Sequence, residues 1–167
     1  MKKNWRVSWD EAAPASANAR AKLPQLATGY IAAGSAVAIP GCTPEQLHQL
    51  RLATKHFRYT LEAFRPVYGE PLEAWLKELR QVQQFLGDIN DCRVAHQRFA
   101  ADPEAPEFLD FLDQRLAAIR DEFLAFWRRR FSPPARLARW RAFLAGESKA
   151  APSGRARQRL HRKPVTR

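Results

Sequence analysis

Four cationic side chains recur at helical spacing over eleven residues: His48, Arg51, Lys55 and Arg58. Advanced at about 100° per residue they share one arc of a helix, while Leu50, Ala53, Phe57, Leu61 and Phe64 share the opposite one. At ~1.5 Å rise per residue the row is about 15 Å long, enough to meet several phosphates of an extended polyanion at once. Arginine brings a planar fork that grips two phosphate oxygens, and lysine an adaptable point charge. The chemistry on offer is anion capture. The plainer account of the same pattern is a solvated polar face, with Glu62 four residues past Arg58 as its salt-bridge partner. Further on, Lys77, Arg80, Gln81 and Gln84 fall opposite an apolar stripe, so two polar faces line one groove if the two helices pack obliquely.

Other reactive side chains give less. His48 stands alone near a helix start, where a histidine is usually an ordinary surface residue, and no Ser, Cys or Asp sits beside it in a nucleophile pattern. A phosphate-cradling G-x-x-x-x-G-K-[ST] loop does not occur. Asp88 and Asp91, close to Gly87, are a weak candidate for magnesium and a better one for capping or ion pairing. Cys42 and Cys92 form no C-x-x-C pair, and no His or Cys cluster completes a zinc site. The sequence therefore predicts no catalytic residue, no metal centre and no cofactor.

The elements that must hold these groups are all helical. The first dozen residues, with Trp5 and Trp9 among polar neighbours, show no period and read as an N-terminal arm over residues 1–15. Ala-rich composition predicts a helix from Ser16 to Val37, with Pro24, Gly29 and Gly34 suggesting a bend or a late start. Thr43, Pro44, Glu45 and Gln46 are the clearest start signal in the chain, and the helix they open should run to about Arg65. Pro66 and Gly69 stop it. Pro71 opens a second helix carrying Leu72, Trp75, Leu76, Leu79, Val82 and Leu86, which completes an antiparallel hairpin and is kinked or ended at Gly87, with Asp88 to Phe99 continuing as a further helical stretch. A long amphipathic helix follows, with Phe108, Phe111, Leu112, Leu116, Ile119, Phe123 and Phe126 along its apolar face, and then a short basic one from Pro134 to Ala145 with Leu137, Trp140, Phe143 and Leu144. No segment alternates convincingly enough for a strand, so the expected fold is an all-α helical bundle over residues 16–145.

Charge is distributed unevenly in this 167-residue chain, whose formal net charge is +11. Thirteen of its 28 Lys and Arg residues lie between Arg128 and Arg167, beside a single acid, Glu147. The preceding body is close to neutral, so an anion site there must come from local arrangement. Residues 146–167, rich in Ala, Pro, Ser, Gly and Arg, read as a basic disordered tail. Lys2 and Lys3 are not followed by the apolar run of a secretory signal, and Leu23 to Cys42 carries too few large apolar side chains to span a bilayer. The expectation is a cytoplasmic, unanchored protein.

The segment running from His48 through Arg51, Lys55, His56, Arg58 and Tyr59, followed by Glu62, Phe64 and Pro66 and then by Leu86-Gly87-Asp88-Ile89-Asn90-Asp91, resembles the CHAD domain, the conserved-histidine α-helical domain. The likeness covers roughly Glu45 to Phe99. It implies a helical bundle that binds inorganic polyphosphate through a basic surface. Carried over by position, it makes His48, Arg51, Lys55, Arg58, Lys77 and Arg80 the polyphosphate-binding residues and gives Asn90 and Asp91 a packing and capping role. His56 departs from the arginine or lysine often found there. The family commonly has two helical halves and this chain shows one clear copy, so either its flanking helices complete a smaller bundle or two chains pair as a homodimer. The leading expectation is non-catalytic polyphosphate binding, with association to polyphosphate granules. The alternative is a nucleic-acid-binding protein that uses the Arg128–Arg167 segment, where Trp127, Phe131, Trp140 and Phe143 stand among arginines and offer stacking surfaces. A protein-interaction adaptor with merely solubilising polar stripes is a third.

Overall fold

A computed structural model describes residues 7–147; the first six residues of the expected arm and the tail from residue 148 onward lie outside them. Among the described residues there are six helices and no strand: α1 (Ala15–Val37), α2 (Pro44–Ala63), α3 (Arg65–Tyr68), α4 (Pro71–Phe99), α5 (Pro106–Arg130) and α6 (Pro134–Ala145). The fold is an all-α bundle. α2 and α4 form the antiparallel hairpin, α1 packs on α2, α5 packs on α4, and α6 folds back along α1.

The start of α2 is fixed as its residues dictate. Thr43 Oγ1 accepts from the Gln46 N–H at 3.2 Å, and Gln46 Oε1 accepts from the Thr43 N–H at 2.8 Å, a reciprocal cap ahead of Pro44. The link to α4 is the single turn of α3, closed at Gly69, whose φ of +64° lies where side chains other than hydrogen are strained. Leu72, Trp75, Leu76, Leu79, Val82 and Leu86 are all buried, as their spacing predicts.

Aromatic rings from distant parts of the chain fill the centre. Trp140 of α6 meets Trp75 edge-on at 4.4 Å and stacks with Phe57 at 5.5 Å, while Tyr30 of α1 stacks on Phe57 at 4.9 Å. The hydroxyl of Thr54 donates to the Leu50 carbonyl at 2.8 Å, which leaves Thr54 Oγ1 to accept from the buried Tyr30 hydroxyl at 3.2 Å. Glu78 holds the end of this core by pairing with Arg136, whose guanidinium also lies 4.2 Å from the Trp75 ring, and with Arg130 at 3.7 Å. Burial lowers the Arg136 pKa and the Glu78 carboxylate opposes that shift.

Three features depart from the sequence reading. α1 is one continuous helix through Pro24, and Gly34 is required there because the Trp127 ring fills the space a Cβ would take, approaching to 2.0 Å of it. α4 is not ended at Gly87 but joins the expected helical stretch from Asp88 to Phe99 in one helix, since Leu86 and Ile89 are buried on either side and outweigh the ~1 kcal/mol that glycine costs a helix. The apolar stripe of α5 is core only in part: Leu112, Ile119 and Phe123 are buried, whereas Phe108 and Phe111 are 41% and 59% exposed. Phe108 packs instead on Phe99, at the turn that joins α4 to α5. Residues 7–14 are laced to α1, with the Asp10 N–H donating to Asn18 Oδ1 and Asn18 Nδ2 donating to the Asp10 carbonyl.

Candidate functional site

Burial of Leu47, Leu50, Ala53, Thr54, Phe57 and Leu61 turns the opposite face of α2 outward. On that side α2 and α4 bound an open trough of about 420 Å³. Arg51 and Arg58 line it from α2, and Arg80, Gln83 and Gln84 from α4. Gly87, Asp88 and Asp91 line it further along α4, and a Cβ built on Gly87 would meet no atom within 4 Å. The missing side chain at Gly87 thus keeps the trough open.

The cations in it are not equivalent. Arg58 is the stitch between the helices: its Nε donates to Gln83 Oε1 at 2.8 Å and its Nη1 to Glu62 Oε1 at 2.6 Å. Arg80 lies 3.6 Å from Glu62 and 3.3 Å from Glu73, and Arg65 completes the chain on Glu73 at 2.8 Å. Arg51 has no carboxylate partner among the described residues, and its Nε is buried without a hydrogen bond. Its guanidinium is therefore the lining cation with its donors uncommitted.

Of the six residues expected to bind phosphate, Arg51, Arg58 and Arg80 share the trough. Lys55, between Arg51 and Arg58 on α2, and Lys77, one turn before Arg80 on α4, are exposed and stand outside its lining. Lys55 Nζ lies 5.7 Å from the centroid of the exposed Tyr59 ring, and Arg58 lies over the same ring at 4.3 Å. His48 turns away into a separate small pocket against α4 and α5, with Asn90, Arg93 and Arg120. Asn90 and Asp91 cap nothing, because α4 continues past them; Asp91 faces the trough and Asn90 the pocket.

Gln83 and Gly87 were within reach of the sequence, since they continue the row Arg80, Gln84, Asp91 at three- and four-residue steps. Arg120 was not, because nothing local to α5 says that it meets α2. The acids Asp88 and Asp91 in the trough, and Glu62 and Glu73 on its arginines, make the site less positive than its cations alone suggest.

Fold and site together define an all-α bundle with an arginine-lined trough between two antiparallel helices. A comparison with protein families matches residues 4–100 to the CHAD domain, more than half of the 167 residues, and the chain belongs to that family. The match takes in α1 and part of the segment before it as well as the hairpin. The family is associated with polyphosphate binding. No curated protein and no solved structure matched the chain. No helix among the described residues is long and apolar enough to cross a membrane.

Proposed function

We propose that this protein is a non-catalytic module that binds inorganic polyphosphate along the α2–α4 trough, in the cytoplasm and with access to polyphosphate granules. The observation that carries the reading is Arg51: a half-buried guanidinium without a carboxylate partner among the described residues, facing an open trough in a chain of the CHAD family. Polyphosphate entering there meets Arg51 directly and competes with Glu62 and Glu73 for Arg58 and Arg80, while the exposed Lys55 and Lys77 add charge beside the path. Binding then draws on counterion release and weakens steeply with salt.

The test is a triple variant, Arg51→Ala, Lys55→Ala and Arg58→Ala, titrated with length-defined polyphosphate at several salt concentrations. Affinity is expected to fall by about a hundredfold or more, and the salt slope to flatten by about the number of contacts removed. Unchanged affinity in a folded triple variant contradicts the reading.

The alternative, nucleic-acid binding through Arg128–Arg167, loses part of its support. Trp127, Phe131, Trp140 and Phe143 are buried in the core, so they are not available to stack on bases. That reading is left with ionic contacts, and removal of residues 148–167 is expected to leave trough-dependent polyphosphate binding in place.

A further inference from the structure

The pocket that takes His48 is smaller than the trough, and its walls are apolar where those of the trough are polar. Leu47 of α2, Leu86 of α4 and Leu116 of α5 wall it, and the His48 imidazole and the guanidinium groups of Arg93 and Arg120 converge on it. Its volume is small, about 60 Å³, and it is open to solvent on one side. That is room for a short aliphatic chain rather than a drug-sized body.

The polar groups here are short of partners. His48 Nδ1 is buried and makes no hydrogen bond. Arg120 uses one donor on the Cys42 carbonyl and has no carboxylate beside it among the described residues; Arg93 has neither a carboxylate nor a side-chain hydrogen bond there. A buried nitrogen left unmatched costs about 1–3 kcal/mol, so a ligand that satisfies it recovers that cost. Two guanidinium groups without counter-carboxylates at the edge of a leucine-walled hollow suit an anion with an apolar end. Free phosphate or a phosphate chain suits it poorly, because bare oxygens against leucine lose hydration without replacement.

We propose that this pocket is a second binding site, independent of the trough, for a short-chain aliphatic carboxylate. The carboxylate accepts from Arg93 and from the His48 Nδ1–H, Arg120 adds its remaining donors, and the alkyl end lies among Leu47, Leu86 and Leu116. The site needs nothing from the polyphosphate reading, and it stands or falls separately.

The experiment is a titration of the full chain with butyrate, followed by heat and by the ring resonances of His48, with inorganic phosphate and polyphosphate as parallel arms. Saturable binding that moves the His48 ring signals is expected, weakened about tenfold by Arg93→Gln and abolished by Leu116→Trp, which fills the hollow. Circular dichroism verifies that both variants fold, and Arg93→Gln, at a half-exposed surface position, serves if the tryptophan variant does not. Polyphosphate is expected not to displace butyrate, and inorganic phosphate not to bind in its place. Absence of saturable butyrate binding, undiminished affinity in Arg93→Gln, equal binding of inorganic phosphate, or displacement by polyphosphate would each overturn the proposal, the last by making the pocket part of the trough.

Discussion

The two ends of the trough are built from the same residue types and behave differently. At one end Arg58 and Arg80 are already held by Glu62 and Glu73, and Arg58 also ties α2 to Gln83 of α4. At the other, Arg51 has no ion-pair partner among the described residues, although Asp88 and Asp91 share the lining with it. The paired end is architecture as much as site, and the open end is where an incoming anion finds uncommitted donors. A row of cations on one helix face therefore does not measure affinity; what the next helix places opposite each of them does.

Single substitutions separate the two ends most strongly. Arg51→Ala is expected to weaken polyphosphate binding about tenfold with little change in stability, because it removes donors that nothing else uses. Arg58→Ala is expected to weaken binding only about threefold but to cost about 1–3 kcal/mol in denaturant unfolding, because Gln83 loses its partner and Glu62 the nearer of its two. Equal effects of the two on binding and on unfolding would break the distinction.

Neutralising the acids at the open end sharpens it from the other direction. Asp88→Asn with Asp91→Asn removes two like charges from the path of a polyanion, and a gain of about threefold in affinity is expected in the same salt titration. A loss would mean that those carboxylates hold the trough in shape.

At high pH an effect is expected that wild type and trough variants share, with no difference between them. Burial pushes the Tyr68 phenol up to about 12 from 10.0 and the Tyr30 phenol higher still. Both stay protonated in the folded protein while the unfolded chain ionises near 10, so the unfolded state binds fewer protons and stability falls as pH rises. The loss begins at about pH 10, continues through about 12, and is read by thermal unfolding across that range. A different alkaline profile in Arg51→Ala would show that the trough and the core are coupled.

Much of this was legible in the chain itself. Thr43, Pro44 and Gln46 specify the start of α2 within four residues, and the leucines of α4 specify its buried face, because both signals are local. The side of α2 that carries Arg51 and Arg58 followed from the same periodicity. What was hidden depends on contacts across the sequence. The burial of Trp140 comes from α6 reaching Trp75 and Phe57. Phe108 and Phe111 have a core-like period on a stretch of helix with too little around it to be covered. The pairing of Arg80 with Glu62, and the turning of His48 toward Arg120, require knowing which helices touch.

Gly87 provides the most direct test of the trough itself. A leucine at that position meets no neighbouring atom at its Cβ, projects into the trough, changes no charge, and removes the helix penalty of glycine, worth about 1 kcal/mol. The measurement is polyphosphate affinity of Gly87→Leu beside its thermal midpoint. The account predicts a midpoint equal to or above that of the wild type together with a loss of about tenfold or more in affinity; an equally stable variant that binds polyphosphate as tightly as before would contradict it.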